Sequence, residues 1–416
     1  MVIQNNNNST NSLFEKPVNT IKMGHYPNFI NKALENYFDE RINKTWHGAH
    51  ILQGKAPTSE SLIFSSNDYL NISKHPQLID AQIAAMQEFG NGQMQSIVFL
   101  NNHSVLFEQC EQQFSHFLNT PASVLTQSGW CANMGLIQSL AQPRVPVYLD
   151  FYTHMSFWSG VKAAGALAVP FLHNSLNSLR KKLERHGPGI IAIDSVYSSL
   201  GTVSPIQEYV ALAEQYNCLL IVDESHSLGT HGPSGSGLVA ELGLSDQVDI
   251  ITASLAKAFS GRGGLIAGKK ELIELIRYSS LPSIFSSALL PHDLVGFSSS
   301  LHIIATEEWR RKQLHDNANY FRNTLLDQGF DLCNSESQII PIMADTEENV
   351  IWLRDQLEKE DIFGSVFCSP ATPKNKTLIR LSVSANHTQS DLNRVIDCLS
   401  LLAKQHPENL FLKKRG

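Results

Sequence analysis

The sequence predicts an α/β protein in which a large domain built on a mainly parallel sheet is followed by a smaller α+β C-terminal domain. Two patterns carry that prediction. From about residue 67 to 290, short apolar runs alternate with amphipathic segments, which is the rhythm of βαβ units. After Pro291 the runs give way to longer helical stretches. The 416 residues exceed one typical core, and 42% hydrophobic with 17% charged content fits a folded enzyme of two unequal domains. The expected division is a flexible tail (1–20), an N-terminal helical arm (21–66), a large domain (67–291) and a small domain (292–416).

The elements follow in order. The first twenty or so residues are polar and Asn-rich, too poor in apolar groups to offset the entropy of ordering. Asn28 to Arg41 has helical spacing in Phe29, Ile30, Ala33, Leu34, Tyr37 and Phe38, and Leu62 to Phe64 is a short β-like run leading into SSNDYL. Six strands are expected: Ser123 to Thr126, Val147 to Leu149, Ile190 to Ile193, Cys218 to Val222, Ile250 to Thr252 and Leu265 to Ala267. Ser204 and Pro205 give an N-cap and first-turn proline for a helix running to Tyr216. Thr346 and Thr388 are expected N-caps, the latter forming a capping box with Asp391. There is no internal repeat.

Composition excludes several partner classes. The formal charge of -7, from 32 basic and 39 acidic residues without a basic block, argues against nucleic acid. The six cysteines are scattered without paired spacing, so neither a zinc site nor a disulfide framework is indicated. The start MVIQNNNNSTNS has no signal-peptide character, and no window approaches the 18 apolar residues of a membrane span. A soluble, cytoplasmic protein with no membrane partner is expected.

Chemistry concentrates between Cys218 and Gly268. Asp223 ends an apolar run, so it falls at the carboxyl end of a central strand, where open α/β sheets bind ligands. His226 lies three residues on in the loop, and Lys257 follows a second apolar run ahead of the Gly-rich turn Ser260 to Gly264. Singly, each has a duller reading, as a turn cap or a solvated charge. Jointly they supply what pyridoxal 5'-phosphate (PLP) requires: a carboxylate for the pyridinium proton, a group for the phenolic oxygen and an imine-forming amine.

Other segments fit around these. SGWCANMG, from Ser128 to Gly135, follows a strand and opens a helical stretch, so its amides could hold a phosphate. VPVYLDFYTHMS puts His154 in a loop, where an imidazole could lie against a flat ring. Period-2 alternation in LIRLSVSANH sets Arg380 opposite Ile379 and Leu381, away from the core-facing side, where it could bind an α-carboxylate or merely form a surface ion pair. Met155, Phe157 and Trp158 could line an acyl channel, although a core role is the plainer reading of each. Two further pattern matches are weaker, the first a decoy and the second kept as a rival. Gly235, Gly237 and Ala240 fit a dinucleotide fingerprint without the preceding strand, and Ser254 to Lys257 fits the S-x-x-K of serine acyltransferases without its companion triplets.

With these residues in view, the chain resembles the α-oxoamine synthases, PLP enzymes of fold type I (aspartate aminotransferase-like) that join an amino acid to an acyl-CoA. SNDYL, SGWCAN, DFYTHMS, DSVYSSLGTVSP, VDESHSLGTHG, IFSSALLP and IRLSVSANHT carry the likeness in order. QSGWCAN, HGPGII, TASLAK, SESQII and FGSVFCSPATPKNK are most similar to quorum-sensing autoinducer synthases of the CqsA/LqsA type, which make α-hydroxyketone precursors from a fatty acyl-CoA. The resemblance implies that Lys257 is the Schiff-base lysine, Asp223 the pyridinium partner, His226 the contact to the phenolic oxygen and His154 the stacking residue. It implies phosphate binding by Ser128, Gly129, Trp130 and Ser254, a place for Ser198 near the phenolic oxygen, and substrate-carboxylate contacts from Asn67 and Arg380. It further implies a homodimer in which Ser286 and Ser287 reach the neighbouring subunit's phosphate. S-adenosylmethionine, 2-aminobutyrate or another amino acid is the implied amino donor. The wider family's M-D-G appears as Ser199, Leu200 and Gly201, so the family's Asp is absent here. Rivals are an 8-amino-7-oxononanoate synthase or 2-amino-3-ketobutyrate CoA ligase, an S-x-x-K acyltransferase, and a non-catalytic PLP-binding module.

Overall fold

The computed structural model describes residues 26–100 and 104–410, so the expected N-terminal tail lies outside the described residues. Seven strands form the central sheet: β1 (Ala122–Thr126), β2 (Pro146–Asp150), β3 (Leu167–Phe171), β4 (Ile190–Asp194), β5 (Leu219–Asp223), β6 (Ile250–Ser254) and β7 (Gly264–Gly268). Their spatial order is β1-β7-β6-β5-β4-β2-β3, parallel throughout except for β7, which runs antiparallel to both its neighbours. β2, β4 and β7 are buried at every position, which is why they read as continuous apolar runs rather than alternating ones.

All six expected strands are present, each extended by one or two residues or shifted by one. β3 was not expected. Its sequence LAVPF carries Pro170, which cannot donate to a ladder, and the sheet accommodates it by placing β3 at an edge. The helix after Ser204 spans Ile206–Gln215, and Ser204 does not cap it. Its hydroxyl instead donates to the Asp194 carbonyl at 2.7 Å, tying the loop to the end of β4. Thr346 and Thr388 do cap their helices, the second with Asp391 in a capping box.

A second body forms around the antiparallel strands β8 (Ile339–Asp345), β9 (Ser365–Phe367) and β10 (Thr377–Ser382), in the order β9-β10-β8. The segment from residue 28 to 64 packs into it. Ile42, Trp46, Ile51 and Phe64 share one hydrophobic cluster with Phe321, Ile340, Leu381 and Leu399, and Leu62–Ile63 pairs in parallel with Ile362–Phe363. The helix Pro291–Thr306 lies with the large sheet instead, Leu294, Phe297 and Ile304 joining the cluster of Leu125, Phe259 and Leu265. Among the described residues, no helix is long and apolar enough to cross a membrane.

Candidate active site

Parallel strands deliver their C-terminal residues to one edge, and here that edge is polar. Asp150, Asp194, Asp223 and Ser254 end β2, β4, β5 and β6, with Asp194 and Asp223 in register beside each other and Thr252 beside Asp223. Asp223 lies on the middle strand and is buried. One of its carboxylate oxygens accepts from the Asn133 amide at 2.6 Å and the other from the Ser225 N–H at 2.8 Å.

Lys257 stands in the turn between β6 and β7. That turn is closed by its own backbone, through Leu255 N–H to the Gly263 carbonyl at 3.0 Å and Gly261 N–H to the Leu255 carbonyl at 3.1 Å. The glycines are required by packing, since a Cβ on Gly261 or Gly263 would fall 2.4 or 2.7 Å from the Phe297 ring. Ser260 anchors the turn from outside by donating to Asp68 at 2.9 Å. Among the described residues Lys257 forms no ion pair. Desolvation lowers its amine to about 8, against the opposing pull of Asp223; Arg380 adds to the lowering and Asp194 resists it.

Two histidines flank the lysine. His226 is buried, its Nδ1 2.6 Å from the Tyr69 hydroxyl and its backbone carbonyl accepting from Gln338 at 2.8 Å. Burial, reinforced by the charges of Lys257 and Arg380, holds its imidazole well below the usual range. His154 caps the helix α1 (Met155–Ala164), its ring edge-on to Trp130 at 6.0 Å. Desolvation lowers it too, with Lys257 helping and Asp223 opposing. Asp194 accepts from the His154 N–H at 3.3 Å, and burial beside Asp223 pushes its carboxyl well up.

The helix Gly129–Leu140 starts against the end of β6. Ser128 caps it by accepting from Cys131 N–H at 3.1 Å, and a Cβ on Gly129 would lie 2.6 Å from the Ser254 Cβ, so glycine permits this approach. The first N–H groups of such a helix have no intrahelical partner and favour an anion. Ser254 itself accepts through Oγ from Ala256 N–H at 3.4 Å and donates its N–H to Ser225 Oγ at 2.7 Å.

Arg380 is only 6% exposed, and its neighbours Ile379 and Leu381 face the C-terminal core as the alternation predicts. The surface ion pair considered from sequence is therefore excluded. Its guanidinium donates to Asn67 Oδ1 and to the Ser198 carbonyl, each at 3.0 Å, and lies 4.9 Å from the Phe367 ring, while Nε is buried without a partner. A buried cation with spare donor capacity and only neutral acceptors is suited to an incoming carboxylate. Ser286 and Ser287 are exposed. The first donates to the Pro282 carbonyl, and the second accepts on its carbonyl from Gln127 at 3.0 Å, one residue before the helix cap.

Of the two readings weighed for Met155, Phe157 and Trp158, the structure supports the core role for Phe157. Phe157 is fully buried in the cluster of Val147, Leu149 and Ala192, so it lines no channel; Trp158 donates its indole N–H to the Thr153 carbonyl at 3.1 Å, and Met155 is open to solvent. The glycines of the false dinucleotide fingerprint have packing roles instead: Gly237, at φ +97°, has room for no Cβ beside the buried Glu224 carboxylate, and Gly235, at φ +91°, has none beside Ile304 and the Gly229 carbonyl. Sequence reasoning did not single out Asn133, Ser156, Asp194, Tyr69 or Gln338. All five are buried, and a buried polar side chain inside an otherwise apolar segment was the signal available for them.

The arrangement fits PLP on this chain's own geometry. A buried amine with no ion-pair partner, a strand-end carboxylate, a glycine-permitted helix start and a buried guanidinium with an unused donor converge on one edge of the sheet. This fold and this edge define an enzyme of the fold type I, aspartate aminotransferase-like class. The chain belongs to the aminotransferase class I and II family, whose profile matches residues 59–399. It is 41% identical to the CAI-1 autoinducer synthase of Vibrio campbellii over 92% of this chain and 97% of that protein. It is 31% identical to the 8-amino-7-oxononanoate synthase of Coprothermobacter proteolyticus, covering 85% of this chain and 90% of the other. Among solved structures it is similar to a high-resolution SPT with PLP as internal aldimine, with a TM-score of 0.80 and 26% identity over 91% of this chain and 97% of that one.

Proposed function

We propose that this protein is a PLP-dependent acyltransferase that joins an acyl-CoA to an amino donor, giving an amino-ketone or enaminone precursor of an α-hydroxyketone autoinducer. The observation that carries the reading is the near end-to-end identity of 41% to an autoinducer synthase, together with a desolvated Lys257 facing Asp223. When bound, the cofactor supplies an electron sink for negative charge at the amino donor's α-carbon.

The residues divide the work. Asp223 holds the ring nitrogen's proton, and His226, oriented by Tyr69, meets the phenolic oxygen beside Ser198. Gly129 and Trp130 N–H groups, with the Ser128 and Ser254 hydroxyls, receive the phosphate. Arg380 and Asn67 take the substrate carboxylate, and His154 covers the ring. Lys257, once released, removes the α-proton, a role favoured by an amine near neutrality. The α-carbon then attacks the thioester carbonyl, CoA leaves as the thiolate, and the substrate carboxylate departs as CO2 to leave the amino-ketone. The amino donor is S-adenosylmethionine, 2-aminobutyrate or a related amino acid, and the working unit is a homodimer in which Ser286 and Ser287 approach the partner's phosphate.

The test is CoA release by the purified enzyme over a panel of amino donors and acyl-CoAs, with mass spectrometry of lipophilic products. Turnover of S-adenosylmethionine or 2-aminobutyrate with a medium-length acyl-CoA is the expected result. Turnover confined to alanine with pimeloyl-CoA would instead make it an 8-amino-7-oxononanoate synthase, and Lys257→Ala with retained turnover would remove the PLP reading altogether.

A further inference from the structure

Four side chains run in a line from Asp223 through Asn133 and Ser156 to His154, and each link has a fixed polarity. An ionised carboxylate only accepts, so the nitrogen of the Asn133 amide, not its oxygen, faces Asp223 at 2.6 Å. The second hydrogen of that nitrogen goes to Ser156 Oγ at 3.0 Å. The Ser156 hydroxyl lies 2.7 Å from His154 Nδ1, and its oxygen could accept a second bond. The direction of this link is therefore set by the Ser156 backbone N–H, which can only donate and, from 3.4 Å, makes Nδ1 an acceptor; the hydroxyl proton then also goes to Nδ1. Two donors converging on Nδ1 leave it the lone pair, which puts the ring proton on Nε2. Asn133 Oδ1 is buried with no partner, so the amide is oriented by what it donates to. Asn133 and Ser156 are themselves 2% and 0% exposed.

We propose that Asn133 is a positioning residue that, through Ser156, holds His154 as the neutral Nε2–H tautomer while fixing the rotamer of Asp223. The inference deepens the proposed function and rests on its reading of His154 and Asp223 as the two residues that face the cofactor ring. Its consequence is electrostatic. Asp223 keeps the ring nitrogen protonated, so a cationic imidazole over the same ring would set like charges together, with Lys257 as a third. A neutral imidazole avoids this. The charged groups around His154 are Asp223 and Lys257, with Asp194 accepting from its N–H, and desolvation works toward the same neutral form. One amide thus couples the residue above the ring to the residue at its edge, across 90 positions of sequence.

The experiment uses the full-length enzyme labelled with ¹⁵N-histidine, first free of cofactor and then loaded, with His154 assigned by its absence in His154→Asn. At neutral pH the cofactor-free wild type should show His154 as a single Nε2–H tautomer. Ser156→Ala should give mixed tautomers, and Ser156→Thr, which keeps the hydroxyl, should restore the wild-type pattern. Asn133→Leu should give mixed tautomers, lower PLP affinity about ten-fold, and shift the pH midpoint of the loaded enzyme's visible band, as loss of a hydrogen bond to a charged group predicts. A wild-type His154 protonated on Nδ1, or a Ser156→Ala enzyme with an unchanged tautomer, would overturn the proposal. The Ser156 pair decides the tautomer even if Asn133→Leu does not fold, and the smaller Asn133→Ala tests Asn133 itself, with mixed tautomers expected and an unchanged His154 tautomer overturning its role. Because the tautomer is read without cofactor, a protein that shows the pattern yet never takes up PLP sinks the functional reading and leaves the relay standing.

Discussion

At the residue scale, buried charge sets what the site can do. Lys257 loses solvation and is pulled in opposite directions by Asp223 and Arg380, with a net lowering to about 8 from an ordinary 10.5. Imine formation needs the neutral amine, so cofactor uptake by the cofactor-free enzyme should rise with pH through about 8 and level off above it, which stopped-flow absorbance would record. An uptake still climbing at pH 10 would mean the amine is not desolvated. Glu224 titrates in the opposite sense. Burial raises its carboxyl from 4.5 to about 7, opposed by hydrogen bonds from Val239 N–H and the Ser227 hydroxyl, and one of its oxygens has no partner. A raised folded value means stability is present below pH 4.5 and lost as pH climbs through 7. Wild type should therefore lose up to about 3 kcal/mol relative to Glu224→Gln across that window. Urea melts of the two proteins at pH 5 and pH 8 measure the difference, and parallel pH profiles would refute it.

At the element scale, the helix Gly129–Leu140 is the part whose placement matters most. Gly129 faces the Cα and Cβ of Ser254, atoms that cannot swing aside, at would-be Cβ distances of 2.9 and 2.6 Å. Gly129→Ala should push the helix start off β6, lift its N–H groups from the anion and weaken PLP binding at least ten-fold, with a stability cost of about 1–3 kcal/mol. Equilibrium dialysis and thermal melts check both. What the sequence made legible follows from the same local physics. The buried strands β1, β2, β4, β5, β6 and β7 were readable because burial on both faces leaves an unbroken apolar run, and Asp223 and Lys257 were readable because the first ends such a run and the second follows one within a few residues. β3 was hidden by Pro170, and β8, IIPIMAD, by a central proline and a helical setting. Asn133, Ser156 and Tyr69 lie within quoted motifs, yet each owes its place to a partner tens of residues away. Asn133 meets Asp223 and Tyr69 meets His226 only once the sheet has formed. Contacts of that kind carry no local periodicity.

At the scale of the whole molecule, two hydrophobic bodies meet at Arg380, which belongs to the C-terminal sheet and donates to Ser198 and Asn67 beside the large one. The segment before the large sheet is bound to the C-terminal body as well, Phe64 stacking on His387 at 4.0 Å and on Phe321 at 5.9 Å. A substrate carboxylate drawn to Arg380 therefore bears on both bodies at once. A single chain also leaves much apolar surface uncovered around the proposed phosphate-reaching serines. Phe285, immediately before Ser286, is 80% exposed, and Leu275, Tyr278, Leu281 and Phe99 are exposed with it. The helices holding Phe99 and Leu281 are joined through the Ser96 hydroxyl to the Ser283 carbonyl at 3.0 Å, so these side chains stand on connected elements. Apolar surface of this kind marks a protein contact, and a second copy is the occupant the proposed function calls for. A carboxylate at the centre of such a contact would be desolvated without a partner, at a cost of several kcal/mol. Phe285→Glu should accordingly turn a dimer into a monomer at micromolar concentration in light scattering, and the monomer should lose PLP on gel filtration because Ser286 and Ser287 no longer reach the neighbouring site. A Phe285→Glu protein that remains dimeric would place the contact elsewhere, and a monomer that keeps its cofactor would show that each chain binds the phosphate alone.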